Sequence, residues 1–142
     1  MHRLLTVTSL LILGLPHSSH AQQAPATSCS DRAEVDTAIY EISDLHDLPN
    51  HPPLRRTAPP LDYPKEDQRA HIEGTVMVEG IISAHGTVEP GSLRVRRSVS
   101  PGLDSAAVRF YAQTTWWPGC KDGNPVRVRV QQPVIFSLRR GG

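Results

Sequence analysis

Ala58 to Leu138 reads APPLDYPKEDQRAHIEGTVMVEGIISAHGTVEPGSLRVRRSVSPGLDSAAVRFYAQTTWWPGCKDGNPVRVRVQQPVIFSL, and its hydrophobic periods alternate between helix and strand. Tyr63-Pro64 opens an element, because proline is comfortable in the first turn of a helix. Lys65 to Ile72 complete two turns, and Gly74 stops them. From Thr75 to Ile82 the period becomes two: Val76, Val78 and Ile82 share one face with Gly80, and Met77 and Ile81 the other. His85-Gly86 is the turn. Thr87 to Ser98 returns as a second strand with a bend at Pro90-Gly91. Leu93 and Val95 alternate there with Arg94 and Arg96, which turns the arginines to water.

Pro101-Gly102 ends that strand, and Leu103, Ala106, Ala107, Phe110 and Tyr111 mark one face of a second helix. Asp104 lies in its first turn, where a carboxylate suits the positive end of the helix dipole. Trp116-Trp117-Pro118 closes it, with the tryptophans capping the core. After the turn at Gly123-Asn124, Val126, Val128, Val130, Val134, Phe136 and Leu138 all fall on one parity, and Arg127, Arg129, Gln131 and Ser137 on the other. Pro133 interrupts this strand without breaking the parity, which assigns it to a sheet edge or a bulge. The expected fold is α+β: a small three-stranded antiparallel sheet in the order helix, strand, strand, helix, strand, with both helices on one face.

Working outward, residues 48–57 hold Pro49, Pro52 and Pro53 and read as an extended proline-rich linker. Residues 22–47 form an N-terminal segment in which Val35, Ala38, Ile39, Ile42 and Leu45 recur at helical steps, so an extra amphipathic helix precedes the domain of residues 58–142. Residues 1–21 have the parts of a signal peptide: basic His2-Arg3, an apolar run from Leu4 to Leu15, then Pro16 and the small residues around Ser19 and Ala21. The run is shorter than the roughly 20 apolar residues that span a bilayer. Cleavage before Gln22 gives an exported chain, the alternative being an uncleaved membrane anchor. An exported chain with two cysteines favours a Cys29–Cys120 disulfide, worth at most about 4–5 kcal/mol in the chain-entropy account. Two free thiols are the other option.

The net charge of +1 carries no global signature, but it is divided. Asp31, Glu34, Asp36, Glu41, Asp44 and Asp47 make an acidic front, and the arginines from Arg94 onward a basic back. The back meets nucleic acid poorly in an exported chain, and strand alternation accounts for it. None of the seven histidines has a partner at the helical spacing of a zinc site, so no metal and no cofactor is expected. No nucleophile elbow or phosphate loop is present, so the chain reads as a non-enzyme.

The ordered set of motifs resembles the TonB C-terminal domain family. Tyr63-Pro64, Glu73-Gly74-Thr75-Val76, Gly86-Thr87-Val88, Ser98 and Ser100, Leu103-Asp104 with Ala106-Ala107, Trp116 with Pro118, Gly123, Pro125-Val126 and Pro133-Val134-Ile135-Phe136 stand in the family's order. The chain departs from the family in its cleavable signal and short proline segment, in Asp67 where alanine is frequent, and in Gly119-Cys120 in place of a common alanine. The resemblance implies docking on the periplasmic segment of outer-membrane TonB-dependent transporters by strand addition at the final strand, linked to energy-dependent uptake. Arg127, Arg129, Gln131 and Ile135 are the candidate partner-binding residues. Inner-membrane motor proteins become partners if the chain is anchored, and the same edge offers a route to a homodimer. The alternative is a soluble envelope binding module that keeps the fold without transducing energy.

Overall fold

The computed structural model describes residues 29 and 37–138. In chain order the elements are β1 (Ile39–Glu41), a 3-10 turn (Ile42–Leu45), β2 (Leu54–Thr57), α1 (Lys65–Arg69), β3 (Gly74–Ile82), β4 (Arg94–Arg97), α2 (Pro101–Gln113), β5 (Thr115–Trp117), β6 (Gly119–Lys121) and β7 (Asn124–Phe136). Strands β3 and β7 are the backbone of the domain. They pair antiparallel without a break from Gly74↔Phe136 to Ile82↔Val128. β4 lies on the other side of β3, with a register shift between Met77 and Val78. The return strand is therefore shorter than Thr87 to Ser98: Val88 makes only an isolated bridge to Ile82, and regular pairing waits until Arg94.

The parity of the sequence decides the core. Val76, Val78 and Ile82 of β3, with Val126, Val128, Val130, Val134 and Phe136 of β7, turn inward against Leu103, Ala106, Ala107 and Tyr111 of α2. Full burial of one such side chain contributes about 1.5–3 kcal/mol. Helix α2 starts at Ser100, whose hydroxyl accepts from the Leu103 N–H at 3.1 Å. The same hydroxyl donates to Asp67 Oδ1 at 2.7 Å. Asp67, nearly buried, therefore holds α1 against the N-terminal end of α2, where a carboxylate is favoured, and this gives the departure from alanine a structural reason. Tyr63 caps the far end of the core, edge-on to Phe136 at 5.3 Å, and donates to the Ile72 carbonyl. Burial raises the Tyr111 phenol far above its ordinary range. Its hydroxyl and Trp116 Nε1 are buried without a hydrogen-bond partner among the described residues.

Three expectations change. The sheet has five strands rather than three, because β1 joins β7 in parallel and β6 pairs with the start of β7. The extra N-terminal helix is replaced over the described residues 37–45 by β1 and one 3-10 turn, in which Asp44 accepts from the Glu41 N–H. Tertiary pairing with β7 and full burial of Leu45 outweigh the helical spacing; residues 30–36 lie outside the described residues. The proline-rich linker is extended but is no free spacer. Leu54–Thr57 pair antiparallel with Thr115–Trp117, and His51 exchanges two backbone bonds with Cys120. Gly119 follows from that packing, since a Cβ there would lie 2.5 Å from Val128 and 3.2 Å from both Leu45 and Pro53.

Candidate docking edge

Both backbone groups of every second β7 residue point away from β3, and the hydrogen bonds of β3 identify which residues these are. Ile81 accepts from the Glu89 N–H and donates to Ser92 Oγ, so both its backbone groups face the β4 side. Directly opposed residues of an antiparallel pair exchange both bonds or neither. Ile81 opposes Arg129, so Arg129 exchanges none with β3. By alternation the same holds for Gln131, Pro133 and Ile135, opposite Glu79, Met77 and Thr75. Their groups point outward. Pro133 therefore leaves the β3 ladder intact, because the donor it lacks would have faced the open edge.

That edge has two parts. Over Arg127 to Arg129 it is occupied by β1, in the register Ile39↔Arg127, Tyr40↔Val128, Glu41↔Arg129. Over Gln131 to Phe136, β7 pairs only with β3 among the described residues. Ile135 is 65% exposed beside this open stretch. Where the two parts meet, Glu41, Ile42, Ser43, Arg129 and Gln131 line a shallow groove.

The candidate binding side chains are held within the molecule. Arg127 grips Glu89 through Nε at 2.5 Å and Nη2 at 2.8 Å, and also donates to the Thr37 carbonyl. The hydrogen bond from Arg127 holds the Glu89 carboxyl below its ordinary range despite partial burial, and the guanidinium is shifted upward in turn. Arg129 reaches Glu41 at 3.0 Å and Glu79 at 3.7 Å. Gln131 donates to Glu79 at 3.0 Å, and Arg96 approaches the same carboxylate at 3.8 Å. Among the described residues the acidic front and basic back thus meet at one pair, Glu41 with Arg129.

Cys29 and Cys120 form a disulfide, with a Cα separation of 5.7 Å. The histidine spacing gave no hint that His51 would stand beside them: Cys29, His51 and Cys120 offer ligand atoms within 4.8 Å of one another. With the sulfurs bonded to each other, neither is a thiolate ligand. The sequence reading also missed β1, Glu89 and Glu79. For β1 a signal was available, since Thr37, Ile39, Tyr40 and Ile42 are β-branched or aromatic.

Among known proteins, the Gram-negative bacterial TonB protein C-terminal family matches residues 59–138, over half the chain. The chain belongs to the TonB C-terminal family. The solution NMR structure of the Pseudomonas aeruginosa TonB C-terminal domain shares the fold, with a TM-score of 0.53 over 67% of this chain and 95% of that one, at 23% identity. No curated protein matches significantly. TonB C-terminal domains are non-enzymatic binding and transducing domains of the Gram-negative envelope with a role in energy-dependent transport, and the family implies interaction with outer-membrane TonB-dependent transporters. Among the described residues no helix is long and apolar enough to cross a membrane; residues 1–21, expected as a signal peptide, lie outside them.

Proposed function

We propose that this chain acts in the periplasm, exported by its N-terminal signal, and docks on the periplasmic segment of a TonB-dependent transporter by strand addition, in support of energy-dependent uptake. One observation carries the proposal: Gln131 to Phe136 leave outward backbone groups that β3 does not use. An extended segment laid along them gains main-chain bonds with loose demands on its sequence. The intramolecular pairing of Arg127 and Arg129 shifts recognition from these charges to the backbone around Gln131 and Ile135. Titrating isotope-labelled protein with synthetic transporter segments tests this. Shifts at Gln131 to Phe136 support it, and shifts confined to residues outside β7 sink it.

A second reading, a soluble envelope module that occupies transporters without pulling, is favoured by the shortness of the open edge. Few main-chain bonds are left to carry a load, because β1 fills the first part. Cell fractionation separates the two. A soluble species beginning at Gln22 favours the second reading. A full-length species in the inner membrane favours a transducer coupled to motor proteins. Concentration-dependent dimerisation through β7 would point instead to self-association.

A further inference from the structure

Strand β1 lies on the docking strand in the position a partner strand would take. We propose that residues 37–41 are a built-in edge strand, which reserves Arg127–Arg129 and makes an incoming segment start at Gln131. The inference rests on β7 being the docking edge.

Four features support it. The register is defined over all of β1 and uses the outward parity of Arg127 and Arg129. Side chains clamp it at both ends, through Arg127 on the Thr37 carbonyl and Arg129 on Glu41, and the Lys121 ammonium stands 4.8 Å from the centre of the Tyr40 ring. The strand does not continue along Gln131, because the chain turns away at Ile42 and buries Leu45 beside Gly119. Finally, the flanks are tethered: Cys29, upstream, is bonded to Cys120 of β6, and His51, downstream, is bridged to the same residue.

These features balance against each other. Three residues of parallel pairing are weak alone, but tethering on both sides keeps the strand at high effective concentration. A short segment that needs only Gln131–Phe136 meets no competition. A longer one must displace β1, and its apparent affinity falls by the fraction of time the edge is free. The groove at Glu41, Ile42, Ser43, Arg129 and Gln131 is where the incoming segment would abut the end of β1. Its paired charges suit a neutral polar residue there better than a lone charge.

The test uses the full chain, Glu41→Lys and Tyr40→Pro, with two readouts. The first is hydrogen exchange at the Arg127 and Arg129 amides, with Val76 and Val78 as controls for folding. The second is binding of a synthetic peptide of residues 37–45. In the unaltered chain the two amides should be protected and the peptide should leave Arg127–Arg129 unshifted. Glu41→Lys sets a second cation against Arg129 at an exposed position, so it should keep the core and speed exchange at both amides by about ten-fold or more. The peptide should then bind there. Tyr40→Pro should do the same by removing an N–H from the pairing strand. Unprotected amides in the unaltered chain, or equal peptide binding by all three proteins, overturn the proposal. A transporter segment completes the set: if it perturbs no β7 residue the docking reading fails, and the exchange data still judge the edge strand.

Discussion

Replacing Ile135 by proline separates the docking edge from the fold, because the outward parity of β7 makes opposite demands at adjacent positions. The Ile135 N–H points to the open side, as the missing Pro133 N–H would, so Ile135→Pro should leave every β3 bond in place. Proline holds the preceding residue extended, which Val134 already is. The side chain lost is 65% exposed, so the change in folding stability should stay within about 1 kcal/mol. Val134→Pro is the control. Val134 opposes Val76 on the bonded parity and is nearly buried, so a ladder bond and core packing are lost together, at about 3 kcal/mol or more. Docking should respond in the reverse sense. Ile135→Pro removes one of the outward donors, and a net hydrogen bond of about 1 kcal/mol corresponds to roughly a five-fold weaker complex. Urea denaturation gives the first quantity and calorimetric titration with a transporter segment the second. Stability lost by Ile135→Pro to the extent of Val134→Pro would refute the parity assignment. Unchanged affinity would refute backbone docking at Ile135.

Further expectations follow from the same geometry. The Glu89 carboxyl is held below its ordinary value of 4.5 chiefly by the hydrogen bond from Arg127. A depressed folded pKa stabilises the fold above the unfolded value and loses that contribution as pH falls through the folded one. The stability gap between the unaltered chain and Glu89→Gln should thus be full at neutral pH and close progressively below pH 4.5, as followed by urea denaturation across a pH series. Gly86 has φ +78, and a Cβ there would lie 2.0 Å from the Trp116 carbonyl oxygen, whereas Gly91 has φ +77 with nothing within 4 Å. Gly91→Ala should therefore cost only the backbone strain of about 1–2 kcal/mol, and Gly86→Ala clearly more; equal losses in denaturation would remove the steric account. Single-molecule pulling on the chain termini should release about 300 Å more contour length after reduction, because the disulfide withholds a sequence separation of 91 residues. An unchanged length would mean that the bond does not form.

The half of the chain after Ala58 was legible because local and tertiary preferences agree there. One parity of β7 is apolar and buried, the strand is long, and Ser100 and Pro101 set the start of α2 where the pattern demands it. The described stretch 37–45 was misread because its local signals compete. Val35, Ala38, Ile39, Ile42 and Leu45 satisfy a helical step, while the β-branched and aromatic residues at 37, 39, 40 and 42 favour an extended chain, and in so short a run periodicity cannot arbitrate. What decides is a partner distant in sequence: the outward backbone of Arg127 and Arg129 and the buried position that Leu45 takes beside Gly119. The site was half-read for the same reason. Pro133 marked β7 as an edge from the sequence alone. The occupant of its first part, and the acidic partners of its arginines, come from segments that only folding brings beside it. An arginine that looks available along the sequence becomes, with Glu41 or Glu89 in reach, part of the clamp that holds the chain's own strand. The open backbone beyond Gln131 is then the part of the edge left for the docking proposed above.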